Sequence, residues 1–261
     1  DQEGKEQWLF DGFIFLESQD VDRPDSAAYT YMTGVLLNTG VAAGKEQWQE
    51  LIDYYFAEGN CVDGLEEAVK AAESRLGKAP QKRRVIMMIP DPVIYHHYID
   101  TTTTTTYWGA LDGRQLDFRK NEDRIAACKW YIDQVRAKFA EGDYKHVDLA
   151  GFYWLREIVT RPVDTEFSYH LTRSDIMLPH IAEYLHGLNY TFNWIPYYGS
   201  RGYDVWQTFG FDQVYLQPNY YWKPQNDMDT VCDQIDRLGV GMELEFEPTL
   251  LNAREGSEAF R

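Results

Sequence analysis

Residues 147–157 read VDLAGFYWLRE. The second half of this run is too evenly apolar for a strand with one wet face, so it reads as a strand covered on both sides, which is the strand of a parallel sheet. Downstream, SDIMLPHIAEYLHG at 174–187 has helical spacing, with Ser174 or Asp175 as its cap and Pro179 as an early kink. YTFNWIPYYG at 190–199 is again a strand pattern. Strand, helix and strand in that order form the unit that parallel pairing requires, because parallel neighbours need a long crossover.

The same alternation extends both ways. Upstream lie FDGFIFLE at 10–17, helical stretches at 46–56 and 65–77 with Gly77 as a C-terminal cap, and RRVIMMIPDP at 83–92. In the segment 121–142, Ile125, Cys128, Ile132, Val135 and Phe139 recur every three or four residues, which predicts an amphipathic helix. Downstream follow a short segment around YDVWQTFG, a strand in FDQVYLQPNYYW at 211–222, a helix at 227–239 and GMELEFEP at 241–248. REGSEAF reads as the start of a further helix, and TTTTTT at 101–106 as a loop or extended flap beside Tyr107 and Trp108. Six strand–helix units leave two possibilities: an eight-stranded barrel with two strands elsewhere, or an open sheet.

The chain has 261 residues, close to the roughly 250 of one α/β barrel. A single domain over 1–261 is expected, trimmed at both ends since it begins at Asp1 without a methionine. Hydrophobic residues make up 44%, enough for one large core, and no apolar run reaches the roughly 18 residues of a membrane span. With 25 Lys and Arg against 42 Asp and Glu, the formal charge of −17 repels phosphate backbones, so no nucleic acid partner is expected. Cys61, Cys128 and Cys232 have no metal-binding spacing, and the helical positions of Cys128 and Cys232 predict buried structural thiols. Dinucleotide, P-loop, serine-hydrolase and zinc-protease motifs are missing, so no cofactor or metal is expected. His96 and His97, near Asp91 and Asp100, are a weak metal alternative because adjacent residues of an extended chain point to opposite faces.

Candidate chemistry sits where the strands end, on the carboxyl-terminal rim of a parallel barrel. The polar groups there are Glu17, Asp91, Glu157, Tyr197, Gln217, Asn219, Glu245 and Glu247. Glu157 stands beside Tyr153 and Trp154, where desolvation favours the protonated acid. Arg156 points the other way along an extended strand. In GMELEFEP, Glu243, Glu245 and Glu247 alternate with apolar residues, either as the wet face of an antiparallel edge strand or as a row lining a polar cavity. Glu243, deepest in that row, is expected to pair with a cation or donor, and Glu245 and Glu247 to meet substrate. Two carboxyls on separate strands are what glycoside cleavage requires. Trp154, Trp194, Tyr197 and Tyr220 add rings that stack on sugars, while Asn193, Gln217 and Asn219 add amides for hydroxyl groups.

FDGFIFLE, GFYWLRE, FNWIPYYG, FDQVYLQPNYYW and GMELEFE, in that order, resemble domain of unknown function 4855, a bacterial, often Bacteroides-type family related to glycosidase TIM barrels. The resemblance runs from about residue 9 to residue 247 and implies a (β/α)8 barrel whose first strand lies before this chain. GFYWLRE then becomes the fourth strand and GMELEFE the seventh, which implies Glu157 as acid/base and Glu245, or else Glu247, as nucleophile. Arg156 departs from the Asn that precedes the acid/base in the large retaining clan. The resemblance further implies a carbohydrate substrate and a periplasmic, cell-surface or secreted location. A carbohydrate-binding barrel without catalysis is the alternative.

Overall fold

The computed structural model describes residues 4, 6–20, 29–32, 41–93, 107–160, 173–220 and 222–244. His96, His97, the TTTTTT run, Glu245, Glu247 and the REGSEAF segment lie outside the described residues. In chain order the elements are β1 (Gly12–Phe15), β2 (Tyr29–Thr30), β3 (Val41–Ala42), α1 (Lys45–Tyr55), α2 (Cys61–Leu76), β4 (Arg83–Ile89), β5 (Tyr107–Leu111), β6 (Arg114–Asp117), α3 (Asn121–Glu141) and β7 (Val147–Trp154). They continue with α4 (Ser174–Gly187), β8 (Thr191–Trp194), a 3₁₀ helix (Tyr203–Phe209), β9 (Gln213–Leu216), α5 (Met228–Leu238) and β10 (Gly241–Met242).

Six strands form one sheet in the order β1-β4-β7-β8-β9-β10, and every pairing is parallel. Each strand lies beside the next main strand in the chain, so the sheet never reverses direction. Right-handed crossovers that always step the same way place their helices on one face, and the sheet curls around the other into a half-barrel. The antiparallel-edge reading of GMELEFEP is thereby corrected: Gly241 and Met242 pair in parallel with Tyr215 and Leu216. A bulge contributes to the curl. Val85 pairs with Leu149 but Ile86 with Gly151, which leaves Ala150 as an extra residue and raises the local twist.

Alternation decides which side chains meet the helices. Phe152 lies beside Phe192, and Trp154 beside Trp194. Phe152 meets Tyr190 edge-on at 5.6 Å, and the Tyr190 ring carries the guanidinium of Arg136 from α3 at 5.7 Å, so this row faces the helical layer. Tyr153 and Asn193 therefore face the concave side. Gly151 shares that side with Thr191, where a Cβ would overlap the Thr191 hydroxyl and carbonyl oxygens. In α3 the expected stripe is present, with Cys128, Ile132 and Val135 fully buried. α4 buries Met177, Leu178, Ile181 and Leu185 and runs through Pro179, but Arg173 is its N-cap. Ser174 is instead used by the β7–α4 connection, its hydroxyl accepting from the Thr160 amide at 2.8 Å.

One element was not expected from the pattern. β5 and β6 form a hairpin whose turn, Asp112 and Gly113, has φ of 51° and 78°. Those positive values suit the two-residue turns that Asp-Gly favours. Trp108 of β5 anchors the hairpin by packing on Trp48 at 5.1 Å and on Phe118 at 5.8 Å.

Candidate functional site

Because the six strands are parallel, their carboxyl ends share one rim. Glu17 follows β1, Asp91 follows β4, Glu157 follows β7, Tyr197 follows β8, and Gln217 and Asn219 follow β9. Glu243 directly continues β10, its amide donating to the Leu216 carbonyl at 3.1 Å. The sequence-predicted groups divide into two sets, one buried as scaffold and one gathered around the concave face.

The scaffold set centres on Asp91. It is 1% exposed, and its carboxylate accepts from Arg156 Nη1 at 3.1 Å. Arg124, at the start of α3, is 2% exposed. Burial pushes the Arg124 guanidinium down to about 10, a shift opposed first by the charge of Asp91. Two buried arginines need a counter-charge, because an unpaired buried ion is costly. Asp91, expected to contact substrate, is buried and paired with Arg156. The carbonyl of Arg156 accepts from Trp194 Nε1 at 2.7 Å, so both ends of the residue before Glu157 are held. Arg156 and Glu157 lie just past the end of β7, Arg156 bonded to Asp91 and both charges acting on Tyr197.

Glu157 belongs to the second set. Gln217 Nε2 donates to its Oε1 at 2.7 Å. The Gln217 backbone is itself fixed, its amide donating to Pro196 at 2.9 Å and its carbonyl accepting from Tyr198 at 2.8 Å. Met242 packs with Leu216 against Val231 and Ile235 of α5, so Glu243, one residue on, faces the concave side with Tyr153. Burial raises the Tyr153 phenol well above its ordinary value, and the charges of Glu157 and then Glu243 raise it further. Tyr197 is raised by burial and then by Glu157, with Arg156 opposing. On a flat sheet β7 and β10 would stand about 14 Å apart, three strand spacings. The curl is what lets both carboxylates act on one phenol.

The other expected groups are distributed as follows. Trp154 and Trp194 are fully buried and belong to the helix-facing core, so neither ring is presented to solvent. Asn193 is fully buried, and its amide donates to the Phe152 carbonyl and the Thr191 hydroxyl, each at 3.0 Å. Asn219 is 6% exposed with φ of 58°, and its carbonyl closes a turn by accepting from Lys223. Tyr220, in contrast, is 42% exposed. Glu17 is half-buried at the β1 end of the rim, where its charge acts on Tyr55 of α1. Tyr153, singled out in the sequence only as a neighbour of Glu157, is the buried phenol that the charges of both Glu157 and Glu243 raise.

The family described as a domain of unknown function, DUF4855, matches over residues 1–261. This chain belongs to the DUF4855 family. No curated protein and no solved structure matches it. Among the described residues of this DUF4855 chain, no group of three or more His, Cys, Asp and Glu side chains could hold a metal ion, and no helix is long and apolar enough to cross a membrane. Cys128 is buried as expected, but Cys232 is exposed, because it falls on the solvent side of α5 whose buried stripe is Val231 and Ile235. A cavity of about 320 Å³ lies at the opposite, amino-terminal end of β4 and β7, lined in part by Glu73, Lys78, Lys82 and His146.

Proposed function

We propose that this chain is a glycoside hydrolase built on a TIM-like (β/α)8 architecture, cleaving a glycan or polysaccharide with two carboxyl groups. The observation that carries the reading is that Glu157 and Glu243, which follow β7 and β10, stand on one rim of the half-barrel, Glu157 accepting from Gln217 at 2.7 Å and both charges raising the buried Tyr153 phenol. One carboxyl protonates the leaving oxygen while another attacks the anomeric carbon or activates water. Glu157 takes the acid/base role. Glu245 is the proposed nucleophile and Glu247 the next candidate, alternating in the sequence after Glu243. Tyr153 keeps its proton at neutral pH, because burial and both charges raise its phenol. The net charge of −17 suits a neutral or amino sugar better than an acidic one. An exported location, periplasmic or on the cell surface, goes with a glycan substrate.

The test is turnover of activated aryl glycosides by the wild type and by Glu157→Gln, Glu243→Gln, Glu245→Gln and Glu247→Gln, with folding followed by circular dichroism. Loss of turnover is expected in Glu157→Gln and Glu245→Gln with the fold intact, and wild-type rates in both would end the proposal. The second reading, a carbohydrate-binding barrel without catalysis, is favoured by the exposed rings Tyr220 and Trp222, 42% and 68% exposed on the segment after β9. Glycan-array binding without product would select it. A chelator-sensitive activity would instead point to His96 and His97.

A further inference from the structure

Gln217 was expected to hydrogen-bond a sugar hydroxyl, and in the resting protein one of its amide donors is engaged by Glu157. Nε2 donates to Glu157 Oε1 at 2.7 Å, within the short range of charge-assisted bonds. Both backbone groups of Gln217 are tied to the β8 segment, through Pro196 and Tyr198, so its side chain projects from a fixed base. On the other side, Arg156 is locked to Asp91 and to Trp194, so the chain carrying Glu157 cannot swing away. Gln217, just after β9, bonds Glu157 directly; Tyr153 of β7 and Tyr197 after β8 feel its charge, Glu243 after β10 acts on the same Tyr153, and Arg156, paired with Asp91, also acts on Tyr197. Burial and a second carboxylate both make a carboxyl hold its proton more tightly, and a donor to the ionised form does the reverse. A group that alternately gives and takes a proton works best with its affinity near the ambient pH.

We propose that Gln217 is a positioning residue for Glu157, fixing the orientation of its carboxyl and lowering its affinity for the proton, rather than a ligand for substrate. Its catalytic meaning rests on the two-carboxylate reading, but the contact exists in the resting protein and is testable without substrate. The whole chain, labelled with 13C at the glutamate carboxyls, is titrated by NMR, and the Glu157 signal is assigned by its loss in Glu157→Gln. In Gln217→Met, which keeps the length and removes the donor, the Glu157 midpoint is expected to rise about one pH unit, a tenfold gain in proton affinity. The Glu66 signal, at the far end of the strands, stays in place as the folding control. A Glu157 midpoint that is unchanged or falls overturns the proposal. Should Gln217→Met not fold, the Gln217 side-chain amide signals of the wild type decide: they titrate with Glu157 if the proposal holds and are silent if it does not. Turnover with an unmoved midpoint removes only this inference. A moved midpoint without turnover on any glycoside removes only the hydrolase reading.

Discussion

Replacing Asp91 by Ala tests whether the ion pair behind the rim carries the local structure. The Asp91 and Arg156 side chains are 0% and 7% exposed and meet at 3.1 Å, and Arg124 is a second buried cation acting on the same carboxylate. Removing one partner of a buried pair costs about 3–5 kcal/mol, because the surviving charge is left in a poor medium. At about 2–4 °C per kcal/mol for a domain of this size, the melting temperature falls by about 6–20 °C. Urea unfolding followed by tryptophan fluorescence, with thermal unfolding by near-UV circular dichroism, measures the loss at neutral pH. Adding Arg156→Met removes one stranded charge and restores apolar packing, so the double variant is expected to regain more than half of the loss. A single variant within about 1 kcal/mol of wild type, the worth of an exposed pair, would refute the reasoning. So would a double variant no better than the single.

Gly151→Ala places a methyl group against the Thr191 hydroxyl and carbonyl and 2.9 Å from Asn193 Nδ2, and is expected to cost about 1–3 kcal/mol in the urea midpoint. Burial alone would raise the Glu66 carboxyl, but the His146 ring and the Lys145 and His146 amides donate to it and hold it below its ordinary 4.5. A carboxylate depressed in the folded state stabilises above its unfolded value and loses that contribution as pH falls through its folded one. The stability gap between wild type and Glu66→Gln should therefore be full above pH 4.5 and shrink below it in urea unfolding at stepped pH. Cys232 is exposed, whereas Cys128 is fully buried and its thiol is pushed up by burial and then by the Asp91 charge. A thiol reagent should label Cys232 in the native protein and Cys128 only on unfolding.

Much of the architecture was legible because periodicity is a local property. The stripe in α3 and the strand runs at 83–92 and 147–157 correspond to observed elements, since an amphipathic helix or a doubly covered strand needs its apolar groups at fixed intervals whatever surrounds it. The β5–β6 hairpin was not recognised because YWGALDGRQLD does not alternate cleanly and its signal lies in two turn residues. Cys232 misled for a related reason: helical spacing shows that a stripe exists but places a residue beside it only approximately.

The site divides along the same line. That polar groups gather where strands end follows from the order of strands and helices, so Glu157, Tyr197 and Gln217 could be singled out from the chain alone. Asp91 and Arg156, 65 positions apart, could not be paired from it, because the bond depends on two strands being neighbours. Nor could Trp154 and Trp194 be assigned to the core before the register fixed which face they share. The sequence by itself determined which residues are acids, rings and amides, and on which alternate face of its own strand each stands. Only the curled sheet decided that Glu157 and Glu243 act on the same phenol, because distance across strands is set by pairing and curvature, which no single segment encodes.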